Sequence, residues 1–242
     1  MSIVAQSRKW LGRATRPVLN ALLPASCLLC GAHCGAGMLC LDCHNDLPGL
    51  GPGTCPRCTA PGSGGLPCAR CQQHPPHFDG TWAAWRYEHP VDRLVQALKF
   101  QAELGLAELF SQALATLLIP VAYQWDALVP LPLHRHRLAE RGFNQSQEIA
   151  RRLGHCVNLP VLPDACLRIC ATTSQADLPQ ELRHSNVRNA FHCPQDLQGM
   201  RLLLVDDVLT TGATLSECAR TLKLHGALRV DAAVVARTPQ RP

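Results

Sequence analysis

The chain has 242 residues, 47% of them hydrophobic, 17% charged and 5% aromatic, with a formal net charge of +5. That apolar share supports a packed core and excludes wholesale disorder, while the length fits one domain or a large domain with a small companion. The longest uncharged apolar stretches, such as Ala113 to Tyr123, fall short of the ~18 residues a membrane span needs, and the modest charge permits phosphate contacts without indicating a nucleic-acid binder.

From Met1 to Pro24, Arg8, Lys9, Arg13 and Arg16 are interleaved with Trp10, Leu11, Val18, Leu19, Leu22 and Leu23. This spacing predicts a basic amphipathic helix over 1–23. The helix either packs on the rest of the protein or touches a membrane surface or nucleic acid. It lacks the uninterrupted apolar run of a secretory signal. A cytoplasmic location follows as the expectation, and there thiols stay reduced.

Nine of the 14 cysteines fall between Cys27 and Cys71. Cys27, Cys30, Cys40 and Cys43 are followed, at a constant offset of 28, by Cys55, Cys58, Cys68 and Cys71. Such self-similarity marks a duplicated unit. Two thiolates separated by two residues on a tight turn span one edge of a tetrahedron, and a second such turn supplies the opposite edge. The pattern predicts two structural zinc ions in a small double zinc ribbon over 24–74, which needs its metal to fold. Spacing leaves open whether each ion uses one repeat or the ligands cross between them. His33 and Cys34 have no counterpart in the second repeat and His44 replaces no missing ligand, so all three read as non-ligands. Between Cys27 and Cys71, Arg57 and Arg70 balance Asp42 and Asp46, and no aromatic residue is present for base stacking. The ribbon is therefore as open to a protein partner as to single-stranded DNA.

Residues 75–242 alternate strand and helix. Phe78 to Tyr87 alternates apolar and polar residues as a strand does, and Val91 to Lys99 and Leu104 to Leu118 have helical spacing. Ala127 to Leu131 reads as a buried strand that breaks into a loop at Pro130 and Pro132. Asn144 to Leu153 is a helix with Asn144 as its cap. Leu202 to Val205 is a strand, Ala213 to His225 a helix with Gly226 just past its end, and Val230 to Ala236 a strand. This order implies an α/β fold with a mostly parallel sheet, whose ligands sit beyond the carboxyl ends of the strands.

At one such end stand Asp206 and Asp207, followed by Thr210-Thr211-Gly212-Ala213-Thr214 leading into a helix. Adjacent carboxylates at the tip of a buried strand are costly unless they bind something, and sugar hydroxyls or a metal are natural partners. The turn offers three hydroxyls and backbone N–H groups, and its glycine lets a phosphate approach the positive end of the helix. Together they can hold a sugar by its vicinal hydroxyls and its terminal phosphate.

Leu202 to Thr214 resembles the phosphoribosyl pyrophosphate (PRPP) signature of type I phosphoribosyltransferases at every position. Further matching segments are Val129-Pro130-Leu131-Pro132-Leu133, Arg141-Gly142-Phe143-Asn144-Gln145, Gln175, Arg183 and Asn186 to Phe191. Together with the cysteine pairs they resemble the ComF family of competence-associated proteins, a double zinc ribbon ahead of a type I phosphoribosyltransferase-like domain. The resemblance implies that Asp206 and Asp207 bind the ribose hydroxyls and that Thr210, Thr211, Gly212, Ala213 and Thr214 bind the 5′-phosphate. The loop after Pro130 would hold the pyrophosphate on exposed, strained backbone, with Arg141 ahead of Arg135 and Arg137 as its cation. Thr172 to Phe191 would close over the site, and Mg²⁺ would arrive with PRPP or a related phosphorylated ribose. Two roles are implied: an accessory protein of DNA uptake or DNA utilisation, with single-stranded DNA or competence proteins as partners, or an enzyme transferring ribose 5-phosphate to an acceptor. In the second, Asp206, Asp207 and Arg141 are the catalytic residues.

Overall fold

A computed structural model describes residues 26–35, 37–170 and 187–239. The helix expected over 1–23 lies outside the described residues. The chain divides into two compact units between Leu47 and Pro48, between the two copies of the cysteine repeat.

In the smaller unit, Cys27 N donates to Ala32 O at 2.7 Å and Gly31 N to Cys27 O at 2.9 Å, which folds the first cysteine pair into a knuckle. Helix α1 (Leu41–Asn45) begins directly after Cys40. In the larger unit, Cys55 N donates to Ala60 O and Thr59 N to Cys55 O, both at 2.8 Å. Helix α2 (Ala69–Gln73) begins directly after Cys68. Each of these features is displaced by the same offset, so the sequence repeat is also a repeat of backbone structure. Water reaches the two copies differently: Cys30 is exposed, whereas Cys55, Cys58 and Cys71 are buried.

The rest of the larger unit is built on strands β1 (Thr81–Arg86), β2 (Ala127–Pro130), β3 (Leu167–Arg168), β4 (Phe191–His192), β5 (Arg201–Leu209) and β6 (Arg229–Arg237). Four of them form a parallel sheet in the order β1-β6-β5-β2, as the strand–helix alternation predicts. The helices are α3 (Val91–Gln101), α4 (Gly105–Leu118), α5 (Arg135–Arg141), α6 (Gln145–Val157) and α7 (Ala213–Leu224). Alternation along β5 sends Leu202 and Leu204 to the face covered by Cys218, Ala219 and Leu222 of α7. Leu128 of β2 turns to α6 on the other face.

Three features depart from the sequence expectations. Gly105–Gln124 is long and apolar enough to cross a bilayer. It breaks into a 3-10 turn at Ile119, however, and Leu106, Phe110, Leu114 and Leu118 are buried in the core. This is a core helix. Second, Arg135–Arg141 is a helix where a loop is expected; it buries no residue, so no apolar periodicity betrays it. Third, β3 and β4 pair antiparallel in a ribbon of their own.

Gly154 marks the tightest packing of α6. A Cβ there would meet Leu159 O and Val161 Cγ2, both at 2.8 Å. Gly154→Ala is expected to lower stability by about 1–3 kcal/mol, read as a lower urea midpoint.

Candidate functional site

Each cysteine repeat gathers its own four sulfurs: Cys27, Cys30, Cys40 and Cys43 in one group, Cys55, Cys58, Cys68 and Cys71 in the other, all within 4.8 Å of one another. The grouping left open by spacing is one repeat per site. Cys34 stays outside and donates to Gly37 O instead. The sulfurs of Cys30 and Cys40 are 3.7 Å apart, as are those of Cys58 and Cys68. A tetrahedron with ~2.3 Å metal–sulfur arms has edges of about 3.8 Å, so both groups fit structural zinc sites. Burial pushes the Cys55 thiol up, but the N–H groups of Cys68, Cys58 and Arg57 outweigh it and hold its pKa at about 7. Burial acts likewise on Cys27, where Cys40, Cys30 and Leu29 N–H groups prevail and hold it at about 6. The last thiols are raised, Cys43 through Cys30 and Cys71 by burial. Four thiolates this close need a cation among them.

The acid pair lies in the carboxyl-terminal half of β5. Asp206 is 9% and Asp207 3% exposed. Asp206 Oδ1 accepts from Ser146 Oγ at 2.9 Å. Ser146 is fixed by the start of α6: Asn144, the predicted cap, accepts Ser146 N at 3.0 Å and donates to Leu131 O at 3.0 Å. The Lys99 ammonium, near the end of α3, stands 2.8 Å from Asp207 Oδ2. Burial raises the Asp206 pKa to about 7 and the Asp207 charge adds to this, against the pull of Lys99 and Ser146. Burial opposes the charge of Lys99, but Asp207 overcomes it and keeps the lysine a cation.

Around the pair stand further cations. Arg141, at the end of α5, donates to Gln145 Oε1 at 2.5 Å and lies over the Phe100 ring with its guanidinium carbon 5.3 Å from the centroid. Arg168 on β3 lies over Phe191 at 5.8 Å and feels the Asp206 charge. Lys99, Phe100, Arg137, Arg141 and Phe143 line a cleft of about 260 Å³. Arg135 is exposed and outside this cleft. Pro130 ends β2 opposite Val205, beside the acids. After it, Leu131 N donates to Val205 O at 2.9 Å and continues the ladder. Leu131 to His134 carries no positive φ and no cis peptide.

Beyond Leu209 the chain turns through Thr210 and Thr211. Gly212 caps α7 at φ +81, a conformation glycine adopts without strain, with Phe78 3.5 Å from where a Cβ would be. Thr211 Oγ1 accepts Ala213 N at 3.3 Å. Of the expected closing loop, Gln175, Arg183 and Asn186 lie outside the described residues. At its described end, Asn189 N donates to Glu217 Oε1 of α7 at 2.7 Å. Sequence reading brought Asp206, Asp207, Arg141 and the threonine turn to one end of the sheet, where they stand. It missed Lys99, Ser146 and Arg168. Lys99 did carry a signal, being one of three lysines in the chain and closing an apolar helix.

Two domain models match the chain in order: a double zinc ribbon domain over 18–72 and a phosphoribosyl transferase domain over 103–242. The DNA utilization protein YhgH of Salmonella typhi is 33% identical over 231 residues, 89% of this chain and 98% of that protein. Competence protein F of Haemophilus influenzae is 28% identical, covering 70% of this chain and 78% of its own length. Competence protein ComFC of Bacillus subtilis is 25% identical, covering 78% and 79% respectively. With both domains in sequence and a relative matched almost end to end, the chain belongs to the ComF family, in which a double zinc ribbon precedes a phosphoribosyltransferase domain.

Proposed function

We propose that the chain binds PRPP, or a closely related phosphorylated ribose, between the Asp206–Asp207 pair and the Thr210–Thr214 turn, and that it serves DNA utilisation or uptake. The observation that carries the binding reading is a buried acid pair ringed by Lys99, Arg141 and Arg168, with a glycine-capped helix start a few residues on. Carboxylates accept from vicinal hydroxyls, and the helix start favours a phosphate. Mg²⁺ fits as a companion of the diphosphate, whose charge it would partly neutralise; Arg141 and Arg168 would meet the remainder. The physiological half of the reading rests on the names of the relatives, a DNA utilization protein and two competence proteins.

Titration of zinc-replete protein with PRPP and Mg²⁺ tests the binding half. Heat is expected from the parent and none from Asp206→Asn with Asp207→Asn. A parent that releases no heat sinks the reading.

A second reading, transfer of ribose 5-phosphate to an acceptor, is favoured by the cleft beside the acids, where Phe100 is 75% exposed. Such a ring can stack on a planar acceptor. Here the bond from the anomeric carbon to the diphosphate oxygen breaks and one from that carbon to the acceptor forms. Release of pyrophosphate only when an acceptor is added supports transfer. If PRPP binds and no acceptor from a base and nucleotide panel releases pyrophosphate, transfer is rejected.

A further inference from the structure

The second cysteine group and the threonine turn share one set of hydrogen bonds. Arg237, the last residue of β6, is 3% exposed and lays its guanidinium between them. Nε donates to Cys58 O at 2.9 Å, while Nη1 donates to Leu209 O at 2.9 Å and to Thr210 O. Arg70, beside the ligand Cys71, reaches the next carbonyl, Thr211 O, at 3.3 Å. Three successive carbonyls are thus held from the metal side of the turn. Farther along the same connection, His77 N donates to Ser216 Oγ of α7 at 3.0 Å.

Two physical consequences follow. In a trans peptide the C=O of one residue and the N–H of the next point in opposite directions. Fixing the carbonyls of Leu209, Thr210 and Thr211 toward the arginines therefore aims the N–H groups of Thr210, Thr211 and Gly212 together the other way, as an anion site requires. The second consequence concerns charge. Among the described residues, the Arg237 guanidinium meets carbonyls and the Thr238 hydroxyl, and no carboxylate. A buried cation needs negative charge nearby. Four thiolates around one Zn²⁺ leave a net charge of about −2 beside Arg237 when the second site is loaded.

We propose that zinc at the second cysteine site sets the shape of the phosphate-binding turn, with Arg237 and Arg70 as positioning residues that transmit it. This rests on the donor reading above. Linkage then requires that zinc and PRPP tighten each other by one common factor.

The test uses the full zinc-loaded chain, Cys68→Ser to weaken the second site, and Arg237→Lys, which keeps a charge but cannot span three carbonyls. Hydrogen exchange in the peptide 209–216 is expected to quicken at least tenfold in both variants, with 202–206 unchanged. Arg237→Lys should do so while still holding two zinc ions per chain. Unchanged exchange at 209–216 in Arg237→Lys, or in Cys68→Ser shown to have lost the metal, overturns the proposal. Should Cys68→Ser quicken exchange everywhere, Arg237→Lys decides alone. In the parent, saturating PRPP should tighten zinc at the second site against a chelator at equilibrium about fivefold or more, and not in Arg237→Lys. Equal zinc affinity with and without PRPP, in protein that binds PRPP, also overturns it. Absence of PRPP binding in the parent sinks the donor reading instead, and the exchange result then judges the positioning role by itself.

Discussion

Asp206→Asn is expected to stabilise the protein at pH 8 and Asp207→Asn to destabilise it, although the two residues are neighbours on one strand. Burial and the Asp207 charge raise Asp206 to about 7, whereas in the unfolded chain an aspartate titrates near ~3.9. Between those values the folded protein keeps a proton that the unfolded chain releases. Asp206 therefore favours folding most below about pH 4, and that contribution is lost as pH rises through about 7. Asparagine removes this dependence and can still accept from Ser146. The gain should grow from near zero at pH 4 to on the order of 2–4 kcal/mol at pH 8. Asp207 is different because Lys99 stands 2.8 Å away. Removing one partner of a buried pair strands the other, and the loss should be about 2–4 kcal/mol at pH 7. Urea unfolding of both variants from pH 4 to 8 checks this. Equal, pH-independent losses in the two would refute the assignment of burial and pairing.

Replacing Cys55 and Cys58 with serine should have the larger structural effect. Zinc content should fall from two ions to one per chain, and the larger unit should lose stability on the order of 5 kcal/mol or more, since structural zinc contributes directly to folding. The damage should reach the sheet. Thr81, which opens β1, donates its N–H to Pro56 O at 3.1 Å and its hydroxyl to Arg57 O at 2.6 Å, both inside the knuckle. Metal analysis of the purified variant decides the matter, because two ions retained would mean that the ligands are misassigned.

What the sequence discloses is what is local. The cysteine spacing repeats at one offset because each copy folds by the same short-range bonds, and Leu202 to Val205 is readable because a strand buried on both faces is apolar throughout. Asn144 was legible as a cap for the same reason: its partner Ser146 is two residues away. Lys99 and Asp207 meet across the fold with no shared pattern, so the pair is invisible until α3 and β5 pack. Ser146 and Arg168 were hidden in the same way, since only the packed fold brings them to Asp206. Helix α5 escaped because a helix that fully buries no residue carries no apolar period. Arg237 lies one residue past the predicted strand Val230 to Ala236, and only the approach of Cys58 O and Leu209 O gives its charge a use.

Asp206 is not held on a loop. It sits inside the β5–β6 ladder, opposite Val234, with Val208 and Leu209 still paired beyond it to Ala236 and Arg237. The backbone entropy of placing the acid pair is therefore surrendered when the sheet forms and not when a ligand arrives. Association at this end of the sheet should accordingly lose little backbone entropy at the acids, leaving side-chain settling and release of bound water to set the temperature dependence of affinity.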